Sequence, residues 1–161
     1  MKKRLVIALS LTVLMLLVTG CASQRINSGL SLSGYQAFEV SPVSNETGRA
    51  FDFDVAAEIT RHIVSKLRQE GLNVTDTSGK TLVIKSRLTL YETRMAGTAN
   101  CTVRSTLIDK DTGRLLGEIV AARSVSAGGL PQLGLKPERA VLEMVADEIV
   151  AQIERRIRVR K

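Results

Sequence analysis

Apolar residues recur every four positions through DFDVAAEITRHIVSKLRQEG, where Val55, Ile59, Ile63 and Leu67 form one stripe of a helix. Asp52 or Asp54 supplies an acceptor for the orphan N–H groups at its start. Lys66 and Arg68 suit the negative end of its dipole, and Gly71 suits a left-handed stop. A second stripe runs through PERAVLEMVADEIVAQIERRIRVRK, with Leu142, Val145, Ile149, Ile153 and Ile157 on the buried side and Ala146 and Val150 beside them. Pro137 fits its first helical position, where a missing N–H costs nothing.

The remaining apolar runs have period two. YQAFEVSPV predicts a first strand with Phe38 and Val40 on one face, closed by Pro42, which cannot donate to a ladder. LNVTD predicts a short second strand. In TLVIKSRLTLYE, Leu82, Ile84, Leu88 and Leu90 face one way and Lys85, Arg87 and Thr89 the other. Cys101, Val103, Ser105 and Leu107 alternate onto one face of CTVRSTLID. DKDTG then turns, with Gly113 taking positive φ, into a last strand, RLLGEIVAARSVS. The order is β-α-β-β-β-β-α. It predicts an α+β fold, a two-layer sandwich of a mixed, largely antiparallel sheet with both helices on one face.

The first residues stand apart from this body. Lys2, Lys3 and Arg4 precede an apolar run, Leu5 to Val18, that is shorter than the ~20 residues a membrane-spanning helix needs. A basic start, a short apolar core and small residues before a cysteine are the marks of a signal peptide. The tetrad Val18-Thr19-Gly20-Cys21 resembles the lipobox of bacterial lipoproteins, with valine where leucine is commoner. That resemblance implies a diacylglycerol on the Cys21 thiol, cleavage before it and acylation of its amine. The chain then divides into a signal peptide, 1–20, a lipidated cysteine and Ser/Gly/Asn-rich tether, 21–34, and one periplasmic domain, 35–161. Ala22 follows the cysteine where lipoproteins kept at the inner membrane often carry Asp. The resemblance therefore points to the periplasmic leaflet of the outer membrane, with the outer leaflet of the inner membrane as the alternative.

With Cys21 acylated, Cys101 has no partner for an intrachain disulfide and reads as a small buried hydrophobe. The net charge of +7 includes Lys2, Lys3 and Arg4, which leave with the signal. Aromatic residues make up 3% of the chain and none is woven into a basic run, so a base-stacking platform for nucleic acid is not expected.

Lipobox, tether, strand–helix–meander–helix order and the hairpin of Asp109, Thr112-Gly113 and Leu115-Leu116-Gly117 resemble those of small uncharacterised bacterial lipoproteins. Their domain is similar to that of penicillin-binding-protein activator lipoproteins, the curli-secretion channel protein and the amino-terminal domain of TolB. The resemblance implies an accessory role in the envelope. No partner-holding residue of those families has a match here.

Ser78-Gly79-Lys80-Thr81 ends like a phosphate-binding loop, but Val74 stands where the first glycine belongs, and a strand rather than a helix follows. No nucleotide is expected, and Lys80 reads as a turn residue. His62 is the lone histidine, and no G-x-S-x-G elbow accompanies it. One His and one spare Cys are too few for zinc, and Asp109-Lys110-Asp111 lacks the acidic end of a calcium loop. Neither metal nor cofactor is expected. Two features read as contact surfaces: a partner loop carrying Leu130, Leu133 and Leu135, and a basic end, Arg155, Arg156, Arg158, Arg160 and Lys161, suited to an anionic surface. The sequence thus predicts a non-enzymatic, lipid-anchored domain that binds an envelope protein. The alternative is an envelope hydrolase whose active site has no recognised motif.

Overall fold

Most of the period-two and period-four segments fold as expected. The computed structural model describes residues 31–74, 79–94, 97–126 and 136–158. Its elements are β1 (Ala37–Val40), β2 (Ser44–Asn45), α1 (Val55–Gln69), β3 (Thr81–Arg94), β4 (Thr98–Asp109), β5 (Leu115–Ser126) and α2 (Pro137–Arg158). The sheet runs β1-β3-β4-β5, with β2 on the same side of β3 as β1. β1 and β2 lie parallel to β3, whereas β3, β4 and β5 form an antiparallel meander. Both helices pack on one sheet face, so the architecture is the α+β two-layer sandwich.

Two features of the sheet's parallel edge differ from the sequence pattern. Pro42 interrupts the edge strand rather than ending it: the chain rejoins β3 at Ser44 and Asn45. The expected LNVTD strand is reduced, in its described residues 72–74, to a single parallel bridge between Asn73 and Ala37.

The α1 stripe is fully buried. Asp54 caps the helix by accepting a bond from Ala57 N at 2.9 Å, and Gly71 takes φ +74° just past its end. In α2, Leu142, Val145, Ala146, Ile149, Val150 and Ile153 are buried, with Ile157 at the margin of the core. Among the described residues no helix is long and apolar enough to cross a membrane.

Packing begins before the expected domain boundary. Leu32 is 1% exposed and belongs to the core. Its N–H donates to the Arg156 carbonyl at 3.1 Å and its own carbonyl accepts from Tyr35 N. The described chain therefore starts against the C-terminal turn of α2.

Cys101 lies on the helix-facing side of β4 at 1% exposure, and burial pushes its thiol up to about 12. In the lipidated protein, Cys101 is expected to resist a soluble disulfide reagent at pH 8 and to react stoichiometrically once denaturant is added. Rapid labelling of the native protein would contradict the packing of β4 against α2.

Candidate partner-binding cleft

Tyr91 faces the helices because β3 carries a bulge. Leu88 pairs with Val103 and Leu90 with Thr102, so Thr89 is an extra residue, and its hydroxyl donates to the Thr102 carbonyl at 3.2 Å. The insertion reverses the facing of every later side chain in the strand. Leu90, expected inward, is 39% exposed on the open face, and Tyr91 turns into the core at 5% exposure. Strict alternation predicts the opposite, which is why the sequence reading misplaces Leu90.

Phe51 and Phe53, on the loop that enters α1, meet Tyr91 edge to face. Ring centroids lie 5.1 Å apart at 84° for Phe51 and 6.3 Å apart at 88° for Phe53. The chain has three Phe, two Tyr and no Trp, so most of its rings converge at this one end. Such T-shaped contacts align a ring's positive edge with its neighbour's negative face. Beside the rings opens a cleft of about 370 Å³, walled also by Asp52, Thr93, Lys136, Glu138 and Arg139. That volume lies within the range that holds small ligands or side chains.

Glu138, in the first turn of α2, is the cleft's least satisfied group. Its Oε2 is closed off from solvent and has no hydrogen-bond partner. The Tyr91 hydroxyl donates to the Glu138 backbone carbonyl at 3.4 Å, not to the carboxylate. Burial, then the nearby Glu138 charge, pushes the Tyr91 phenol up to about 12, so it stays neutral.

The other candidate residues fall elsewhere. Leu130, Leu133 and Leu135 lie outside the described residues; the segment containing them ends at Lys136, which lines the cleft. Val18, Thr19, Gly20 and Cys21 also lie outside them, as do Arg160 and Lys161. Of the described basic end, Arg155 and Arg158 are exposed, and Arg158 pairs with Glu154 at 3.3 Å. Arg156 turns away from solvent and donates to the Glu118 carbonyl of β5 at 3.2 Å. Gly117 permits this approach: a Cβ there would meet the Arg156 guanidinium at 3.1 Å. Arg156 is thus committed to the sheet edge, where burial lowers its pKa.

The fragments that suggested nucleotide or calcium sites meet at the opposite end of the sheet. The Asp109 carboxylate accepts from Tyr35 Oη at 2.6 Å, Thr112 N at 3.0 Å and Asp111 N at 3.1 Å, and Lys80 Nζ lies 3.7 Å from it. Lys80 also sits over the Tyr35 ring, 4.7 Å from its centroid. Lys80 is therefore more than a turn residue, although its role is structural. The acceptor capacity of Asp109 is spent on the turn it closes, with Gly113 at φ +67°. No cluster of potential metal ligands occurs among the described residues. His62 is partly exposed and 3.7 Å from Glu58, a helix-surface pair.

No protein-family model matches this chain, and no curated protein does. Its fold does have counterparts among solved structures. The hypothetical protein CT253 of Chlamydia trachomatis superimposes with a TM-score of 0.58 at 14% identity, covering 75% of this chain and 97% of that one. PelC from Paraburkholderia phytofirmans, solved as a dodecamer, gives 0.56 at 18% identity over 78% of this chain and 93% of PelC. Protein XCC0632 of Xanthomonas campestris gives 0.50 at 13% identity over 75% and 86%. The sandwich is therefore a fold these bacterial proteins share.

Proposed function

We propose that this chain is a lipid-anchored periplasmic domain that binds an envelope protein through the Phe51–Phe53–Tyr91 cleft and performs no chemistry of its own. The observation that carries this reading is the opposition of its two ends. The N-terminal segment meets α2 at its last turn, Leu32 to Arg156, while the cleft sits at the first turn, around Glu138. Eighteen residue steps of α2, from Glu138 to Arg156, separate them by roughly 27 Å at ~1.5 Å per residue. Ten residue steps join Cys21 to Ser31, a reach of at most ~35 Å. A Ser/Gly/Asn-rich tether of this length averages about 18 Å end to end, less than that separation, so a lipid on Cys21 keeps the α2 C-terminus nearer the bilayer than the cleft. Arg155 and Arg158, with Arg160 and Lys161 following in sequence, then lie at the membrane end, where anionic headgroups attract cations over about 8 Å. The outer membrane is the favoured site, from Ala22.

The alternative, an envelope hydrolase, draws on Asp52 and Glu138 lining one cleft. Against it, no hydrogen bond among the described residues links the two carboxylates, and among the described residues no histidine, serine or cysteine lines the cleft beside them.

The test combines anchoring and contact. Cys21→Ala is expected to abolish incorporation of a labelled fatty acid. A photo-crosslinker at Thr93, on the cleft, is expected to give discrete adducts in the native envelope, and one at Arg114, at the opposite end, none. Equal labelling of wild type and mutant removes the anchor. Identical adducts from Thr93 and Arg114 remove the cleft. Loss of a hydrolytic activity in Asp52→Asn or Glu138→Gln, with the fold intact, would establish the enzyme instead.

A further inference from the structure

The cleft combines three features that together define a ligand chemistry. Its wall is aromatic, from Phe51, Phe53 and Tyr91, and ring faces attract cations. Its carboxylate, Glu138, keeps an oxygen out of solvent with no donor, an arrangement that costs free energy until a donor arrives. Neither neighbouring cation supplies that donor: Lys136 and Arg139 line the same cleft, are exposed, and form no ion pair with Glu138.

From these we infer that the cleft binds a primary ammonium group, held against the aromatic rings and donating to Glu138. The inference rests on reading this cleft as the domain's contact site, and it deepens that reading by naming what enters. A primary ammonium answers both parts of the wall at once. Its charge suits the ring faces, and its N–H groups satisfy the buried oxygen. A quaternary ammonium meets only the first requirement, because it has no proton to donate. Lys136 and Arg139 impose a second selection. They repel a dication and tolerate a ligand whose remainder is neutral or anionic. The group can arrive on a lysine side chain of a partner protein or on a free amino acid, and the two sources share this chemistry.

Titration of the 15N-labelled full-length protein in detergent micelles tests the assignment. The probes are Nα-acetyl-lysine methylamide for the peptide source, alanine for the free amino acid, and cadaverine for the dication. The Nε-acetyl and Nε-trimethyl forms of the lysine probe serve as controls. Amide shifts confined to Phe51–Phe53, Tyr91 and Glu138 are expected with the lysine probe, with alanine, or with both; whichever binds more tightly identifies the source. Cadaverine and the trimethyl form are expected to bind more weakly, and the Nε-acetyl form not at all. Glu138→Gln, nearly isosteric, should weaken binding about tenfold or more, the usual loss for a charge-assisted hydrogen bond, while the spectrum keeps its native dispersion. Phe51→Leu should weaken it less.

Shifts spread over the whole surface, equal binding of the ammonium and Nε-acetyl probes, or undiminished binding to Glu138→Gln would each overturn the assignment. If Thr93 crosslinks persist while no ammonium probe binds, the ammonium assignment fails and the cleft remains a contact site. Ammonium binding without crosslinks supports the assignment and removes the protein partner.

Discussion

Leu32→Ala is expected to cost about 2–5 kcal/mol of stability, the range for truncating a fully buried leucine. Leu32 lies close to the tether by sequence position, yet its side chain is 1% exposed and packs into the same core as both helices. Two backbone bonds hold it there, to Arg156 and from Tyr35. Leu115 provides the internal control. It is equally apolar but 64% exposed at the start of β5, so Leu115→Ala should change stability by no more than ~0.5 kcal/mol. Urea unfolding of the two variants measures the contrast. Equal midpoints would show that the body begins after Gly34 and that Leu32 contributes nothing to it. A large loss in Leu32→Ala would place the start of the folded body before residue 35. It would also shorten the chain available between lipid and domain.

Both helices were legible because each carries a four-residue stripe strong enough to set its buried face: Val55 to Leu67 in α1, Leu142 to Ile153 in α2. The meander was legible because β4 alternates without a break from Ala99 to Asp109. The sheet's parallel edge was only partly so. A two-residue strand such as β2 has no periodicity to detect, and it forms because β3 continues past Pro42 with unpaired backbone groups to offer. The cleft was not legible at all. Its three rings come from a loop and from a strand position that alternation assigns to the wrong face, and only the Thr89 bulge brings Tyr91 to Phe51 and Phe53. The one available signal was compositional: in a chain with so few aromatics, FDF beside an acidic helix start is conspicuous. The DxxTG hairpin was read correctly as a turn signature. Its Asp also has a long-range role, which required knowing that Tyr35 lies across the sheet end.

That role makes the tether-proximal end of the domain sensitive to acid. Asp109 is 3% exposed and joins three segments: Tyr35 from the N-terminal entry, Lys80 from the turn before β3, and the 109–114 hairpin. The hydrogen bond from Tyr35, then that from the Thr112 amide, holds its carboxyl well below the usual carboxylate range. A carboxyl depressed on folding stabilises the native state in full above its unfolded value of about 3.9; that contribution shrinks below it and is lost only as pH falls through the lower folded-state value. Asp109→Asn should therefore lower the urea midpoint clearly at pH 7, and the deficit should begin to shrink only below about pH 4 and go on shrinking to pH 2, so that wild type and variant approach each other in strong acid. Tyr35→Phe removes one donor but leaves the amides and Lys80, so it should cost less, about 1–2 kcal/mol at pH 7, again with convergence at low pH. Lys80→Ala removes a partner that is half-exposed and 3.7 Å away, and should fall within ~1 kcal/mol. The loss of stability at pH 7 is expected to fall in the order Asp109→Asn, Tyr35→Phe, Lys80→Ala. An Asp109→Asn deficit that stays constant from pH 7 to pH 2 would mean that side-chain shape, not carboxylate charge, holds this end together.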